Sequence, residues 1–233
     1  MAIPTVEHRS SGVRDGGLFV AFEGGEGCGK STQVPMLARW LRERDHEVRT
    51  TFEPGDTALG QAIRSIVLDP ANTELGDRAE ALLYAADRAQ HVASIIAPAL
   101  AAGMIVITDR YVDSSLAYQS AGRGQPFNDI AQLSAWATQG LLPDLTVVFD
   151  VPVDIALARV HGRAAADRLE AESHAFHERV RRSFLDLARA DPPRYLVLDA
   201  TVSRESLASQ IAGAVGALLA DGPDEPAETT VPS

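Results

Sequence analysis

The sequence predicts an α/β fold of three layers, a central parallel sheet covered on both faces by helices. Three observations predict it. Short runs of strand length alternate with helical stretches along the chain, the pattern of a parallel sheet built by crossovers. The run at 18–22 is apolar throughout and those at 104–108 and 145–151 are mostly so, which suits strands buried on both faces. The first of them leads into a glycine-rich turn and then a helix, an order with its own chemical meaning.

Taken in order, the strand at 18–22 is followed by a helix over 32–44, a strand over 47–52 and a short helix over 57–68. Residues 74–101 form a long alanine-rich helical stretch, with a break predicted at Pro98 because proline donates no N–H. The strand at 104–108 runs between Gly103 and Asp109. Helical stretches at 113–120 and 128–139 follow, then the strand at 145–151 and a helix over 153–160. A polar segment at 161–170 has the character of a short lid. The helix over 171–190, the strand over 195–198 and the helix over 204–219 close the pattern. This gives one domain over 17–220, with no internal repeat. Residues 1–16 and 221–233 are rich in Gly, Pro, Ser and Glu and are predicted to be disordered.

Composition narrows the function. The chain has 233 residues, 45% hydrophobic and 23% charged, enough to build one independent core. It contains no run of about 18 apolar residues, so no membrane partner is expected. No stretch of signal-peptide character precedes residue 18, and a cytoplasmic address is expected. Cys28 stands alone, which agrees with a reducing compartment. The net charge of −11 argues against a nucleic-acid partner and predicts that positive charge gathers in one cleft. Lys30 is the sole lysine; every other strong base is arginine.

That lysine stands in Gly24-Gly25-Glu26-Gly27-Cys28-Gly29-Lys30-Ser31, which satisfies the P-loop pattern G-x-x-x-x-G-K-[ST]. Glycines let the backbone curl until successive N–H groups point at phosphate oxygens, and the helix that follows adds its partial positive end. Lys30 is expected at the β- and γ-phosphates, Ser31 at Mg²⁺ and Thr32 at the α-phosphate. A glycine-rich hairpin with an incidental Gly-Lys-Ser is the bland alternative, and a strand before with a helix after speaks against it. A chain with one lysine has no Asn-Lys-x-Asp segment for reading guanine, nor the extra loop lysine of partition-type ATPases. Small-molecule kinases remain.

From Asp109-Arg110-Tyr111 through Ser114-Ser115 to Ala117-Tyr118-Gln119 the chain resembles the thymidylate kinase family. Phe22-Glu23-Gly24, Glu53-Pro54-Gly55, Leu82-Leu83-Tyr84-Ala85-Ala86-Asp87-Arg88 and Gly122-Arg123-Gly124 extend the likeness, as does the lid-like 163–170 segment. The resemblance implies Mg²⁺-dependent transfer of the ATP γ-phosphate to dTMP by a cytoplasmic homodimer. It implies that Arg110 holds the acceptor phosphate, with a forked, permanently charged group suited to it. Asp109 would orient Mg²⁺ or its waters, or position Arg110. Tyr84 would stack on the base and Arg88 reach its O4 edge. Ser115 and Gln119, four apart, would bond the base edge, and Tyr118 would face the sugar and disfavour a 2′-hydroxyl. Glu26 and Glu53 would contact the sugar hydroxyl or the metal's water shell. Each residue has a plainer reading: Arg88 paired with Glu74 or Asp87, and Tyr84 as core.

Phosphoryl transfer needs a cation for the charge that develops on the equatorial oxygens. One branch of the family carries an arginine inside the P-loop, where this chain has Gly27. The other supplies it from the lid, which here offers Arg159, Arg163 and Arg168. The resemblance assigns the transition-state charge to Arg163, assistance to Arg168 and adenine stacking to Arg159; a solvated helix face with Arg–Glu pairs is the alternative. Phe52 and Asp56 depart from the family's usual arginine and glycine beside Glu53-Pro54. Another nucleotide, a nucleoside or a small hydroxyl acceptor, or a non-catalytic ATP sensor, are the competing functions.

Overall fold

The computed structural model describes residues 17–160 and 167–220. Five strands make one parallel sheet: β1 Phe19–Glu23, β2 Val48–Phe52, β3 Ile105–Asp109, β4 Leu145–Asp150 and β5 Tyr195–Asp199, in the order β2-β3-β1-β4-β5. Parallel pairing aligns Phe22 with Asp109 and Glu23 with Val148, so the carboxyl ends of the strands share one edge. Loops at that edge are where ligands bind open α/β sheets. β1 and β3 are almost wholly buried because helices cover both faces, as their mostly apolar runs predict.

One face carries α1 (Lys30–Arg42) and the last helix, over a core of Val20, Phe22, Leu37, Leu41, Ile107 and Phe149. α2 (Ala58–Val67) lies beside α3 (Asp77–His91) on the other face. The break expected at Pro98 is a widened turn instead. Val92–Ile96 is π-helical, with Ala97 N–H donating to Val92 O five residues back, before α4 (Ala97–Ala101) resumes. Widening one turn ahead of a proline accommodates its missing donor and ring without ending the helix.

The stretch expected as helix over 113–120 is α5 (Val112–Ser115) followed by a π-helical segment, Leu116–Gly122. Its wider turns keep Tyr118 and Gln119, neighbours in sequence, both buried. α6 (Phe127–Thr138), α7 (Val153–Val160), α8 (His174–Ala190) and α9 (Arg204–Ala220) complete the layers. α8 starts three residues later than its pattern predicts, because Ser173 caps it by accepting from Phe176 N–H at 3.3 Å. Residues 1–16, 221–233 and 161–166, with Arg163 and most of the lid expectation, lie outside the described residues.

Candidate active site

The glycine-rich turn joins β1 to α1 as its spacing requires. Gly24, Gly27 and Gly29 have φ of 138°, 68° and 106°, the left-handed region that side chains resist. A Cβ on Gly24 would meet Phe149 O at 2.8 Å, and one on Gly27 would sit on Ala156 O. Gly25 has open space around it. α1 begins at Lys30, two residues before its pattern predicts, so Ser31 and Thr32 lie exposed in its first turn, with Thr32 N–H donating to Gly29 O at 3.0 Å. The Lys30 ammonium donates to Gly24 O at 3.1 Å and Gly25 O at 3.0 Å and lies 3.5 Å from the buried Cys28 Sγ. Gly27, Cys28, Gly29, Lys30 and Ser31 line a cleft of about 990 Å³, open mouth included, whose far wall holds Asp109 and Arg110.

Arg110 is the hinge of the site. Its backbone is left-handed, φ 72°, and its N–H donates to Phe22 O at 2.9 Å, which turns the side chain toward the P-loop. The guanidinium donates to Gly24 O at 3.2 Å, Ser114 Oγ at 3.0 Å, Tyr118 OH at 3.3 Å and the Glu26 carboxylate. Lys30 and Arg110 thus share one carbonyl. Burial pushes the Glu26 carboxyl up, but the charges of Arg110 and Lys30 outweigh it and hold it below the usual range. Below them Glu23, fully buried, accepts from Tyr111 N–H at 2.8 Å, Ser114 N–H at 3.1 Å and Ser114 Oγ at 2.6 Å. Burial, with Asp113 nearby, raises its carboxyl to about 8.

Beyond Arg110 lies a second cavity of about 520 Å³, lined by Tyr84, Arg88, Ser115, Tyr118 and Gln119, the five residues assigned to the acceptor nucleoside. Glu26, Glu53, Arg64 and Arg110 line both cavities and mark where they meet. Arg88 is buried and donates from Nε to Glu53 at 2.8 Å, from Nη1 to Ser115 Oγ at 2.9 Å and from Nη2 to Tyr111 O at 2.9 Å. Its acid is therefore Glu53, across from the helix, and neither Glu74 nor Asp87. Two of its five N–H groups remain uncommitted by these bonds. The Tyr84 hydroxyl is buried without a hydrogen-bond partner. The Gln119 amide donates to Glu80 at 2.9 Å. The Glu53–Pro54 bond is cis.

The lid-side arginines are placed unequally. Arg159, exposed at the end of α7, donates to Gly27 O at 3.4 Å and Ala200 O at 3.1 Å, beside the P-loop. Arg168 turns the other way, donating to Val67 O at 2.9 Å and to the buried Glu80, while Glu170 borders the phosphate cleft. Sequence reasoning missed Arg64. It sits on α2, donates to Pro54 O at 2.8 Å and has the exposed Phe52 ring 6.0 Å from its guanidinium. An exposed helical arginine has the sequence signature of any solvated face, so no local signal marked it. Asp56, the other departure, accepts from Thr51 Oγ1 at 2.5 Å and from Arg49 at 3.1 Å. The positive charge is spread over the two adjoining cavities, Lys30 on the first, Arg88 on the second and Arg64 and Arg110 on both, interleaved with carboxylates.

The family model "Thymidylate kinase" matches residues 22–211. A thymidylate kinase of Clavibacter sepedonicus is 53% identical over 209 residues, covering 88% of this chain and 98% of that protein. That of Cutibacterium acnes is 50% identical over 204 residues, with 88% and 98% covered. That of Trichlorobacter lovleyi is 47% identical over 209 residues, with 87% and 99% covered.

Proposed function

The chain belongs to the thymidylate kinase family and is a phosphotransferase, and from that premise we propose that it moves the γ-phosphate of ATP onto dTMP, giving dTDP and ADP. One observation carries the reading for this chain: a P-loop cleft and a nucleoside-sized cavity meet at Arg110, which is positioned from both sides.

In the proposed reaction the curled backbone and Lys30 hold the donor phosphates, the ammonium exchanging its carbonyl partners for phosphate oxygens. Arg110 grips the acceptor 5′-phosphate in line with the P-loop, so catalysis is chiefly positioning and charge stabilisation. Glu26, anionic beside Arg110, accepts from the sugar hydroxyl, and Tyr118 closes against C2′. Tyr84 supplies a stacking face, worth about 1–3 kcal/mol per base in such sites. Arg88, Ser115 and Gln119 read the base edge. Arg64 adds a cation where the cavities join. Arg163 stabilises the equatorial oxygens, Arg168 assists by tying the end of the lid segment to Glu80, and Arg159 faces adenine.

Ser31 and Asp109 border the same cleft and fit a hard cation that takes oxygen ligands and keeps several waters. Magnesium there supplies charge neutralisation on the phosphates. Leu59, Ile66, Leu82 and Trp136 are exposed on the adjoining α2, α3 and α6, and we assign them to a homodimer face. Sedimentation velocity reads this directly, a monomer overturning it. No helix among the described residues is long and apolar enough to cross a membrane, and the proposed setting is the cytoplasm. The reaction is tested by ADP release with dTMP, dUMP, dCMP, AMP and GMP, with and without Mg²⁺. Turnover strongest with dTMP is expected; turnover confined to AMP or GMP removes the assignment.

A further inference from the structure

One buried acid lines neither cavity and yet sets the polarity of the second. Glu80 lies on α3, one turn before Tyr84, and is wholly buried. Its carboxyl oxygens accept from Arg168 Nη2 and, at 3.3 Å, from Arg123 Nε. The Gln119 side chain, in a residue only 2% exposed, donates from Nε2 to Glu80 Oε1 at 2.9 Å. The π-helical turn over Leu116–Gly122 brings Gln119 inward to this contact. Gln119 is part of the acceptor cavity's wall, and Glu80 stands behind it.

An amide has two unlike ends, and its neighbour decides which end faces where. Turned over, the Gln119 amide would set its oxygen against carboxyl oxygens that two guanidiniums already hold, acceptor against acceptor. The nitrogen therefore goes to Glu80, and Oε1 is the end left for the cavity. No other described side chain bonds this amide. The neighbouring wall carries the opposite chemistry. Arg88 keeps two uncommitted N–H groups, and Ser115 Oγ, accepting from Arg88 Nη1 at 2.9 Å, keeps its own proton to give. Two donor groups and one acceptor face the same space.

We infer that Glu80 is a specificity-determining positioning residue: by holding the amide nitrogen of Gln119 it turns the amide oxygen into the acceptor cavity, and the wall so made takes a 4-oxo pyrimidine and rejects a 4-amino one. Thymine and uracil present O4 beside N3–H, an acceptor beside a donor, which complements Arg88 or Ser115 beside Gln119. Cytosine presents its N4 amino group beside a bare N3, the same pair reversed. Its amino group would face N–H and O–H donors, and its N3 would meet the Gln119 oxygen lone pair to lone pair. A site built to pair polar groups discriminates strongly against an analogue that leaves them unpaired.

The inference rests on the proposed acceptor site, and its test separates the two. The ratio of kcat/KM for dTMP to that for dCMP is measured by ADP release in the parent, Glu80→Gln, Gln119→Met and the double variant, with calorimetric binding of both nucleotides alongside. The amide introduced by Glu80→Gln offers a donor as well as an acceptor, so Gln119 is free to turn over. The ratio is expected to fall about 3- to 10-fold in Glu80→Gln and about 10-fold in Gln119→Met. The double variant is expected to match Gln119→Met alone, because Glu80 acts through that amide. Equal losses with dTMP and dCMP in Glu80→Gln overturn the inference, since a merely structural role moves both alike. A double variant whose ratio falls by the product of the two single falls overturns it as well. If Glu80→Gln does not stay folded, an unchanged ratio in Gln119→Met overturns it. A parent without dTMP turnover removes the proposed function, while the binding preference for dTMP over dCMP and its loss in Glu80→Gln still decide what the wall reads.

Discussion

The donor and acceptor halves of the cleft are built in opposite ways. The donor half is nine consecutive residues, 24–32, whose shape follows from three left-handed glycines and the start of α1. The acceptor half draws Glu53, Arg64, Tyr84 with Arg88, Arg110, Ser115, and Tyr118 with Gln119 from six separate places along the chain. Backbone sterics hold the first. Networks of charged side chains hold the second: Arg110 with Glu26, Arg88 with Glu53, and Gln119, Arg123 and Arg168 on Glu80. A site of backbone amides is local, and its shape tolerates side-chain change outside its glycines while its chemistry still needs Lys30. A site of paired charges is pre-set for its ligand but depends on every partner being present.

The largest effect expected from this contrast is at Lys30. Lys30→Met keeps the length of a nearly buried side chain and removes its charge. We expect kcat to fall by about 10³, roughly 4 kcal/mol of lost stabilisation of the transferring phosphate. Binding of dTMP, measured by calorimetry without ATP, is expected to hold within about two-fold. Equal losses on both sides would mean that the Gly24 carbonyl shared by Lys30 and Arg110 fuses the halves into one unit.

Glu80 tests the acceptor side. Its carboxylate is wholly buried and accepts from Gln119, Arg123 and Arg168. Glu80→Gln leaves two arginines facing a neutral amide, and losing one partner of a buried charge set costs about 3–5 kcal/mol. Urea unfolding is expected to show a loss near the lower figure, because both arginines are about one-eighth exposed and keep some water. KM for dTMP is expected to rise with it, through Gln119. Unchanged stability would show that the network is ornamental and the contrast overstated.

The same division explains what the sequence disclosed. Strand positions were readable to within one residue, most plainly for the three central strands, because a doubly covered parallel sheet favours mostly apolar runs. The P-loop was readable because glycine spacing is itself the structure. Helix interiors were harder. Two π-helical turns, at Val92–Ile96 and Leu116–Gly122, answer to a proline downstream and to two adjacent side chains that both belong inside. Partner choice was not legible at all: Arg88 meets Glu53 35 residues away, and Arg168 meets Glu80 88 residues away. Nothing local distinguishes those arginines from solvated ones. Arg64 and Glu80 went unmarked for the same reason.

The effect expected at Glu23, where the two halves join, is the smallest of the three at pH 5 and grows with pH. It ends the strand that leads into the P-loop and holds the turn that carries Arg110. Burial lifts its carboxyl from the usual carboxylate range to about 8. A group whose native value is raised binds more protons folded than unfolded between roughly pH 4.5 and pH 8, so stability falls as pH rises through that window. Glu23→Gln copies the protonated carboxyl and cannot ionise. Its stability at pH 5 is therefore expected to match the parent within about 1 kcal/mol. From pH 5 to pH 8 the parent should lose ground steadily to the variant in urea unfolding, and KM for dTMP in the variant should lose any dependence on this group. Parallel stability curves would show that Glu23 stays ionised in the fold, its three donors having outweighed burial. The two halves would then meet at a fixed charge instead of a buried proton.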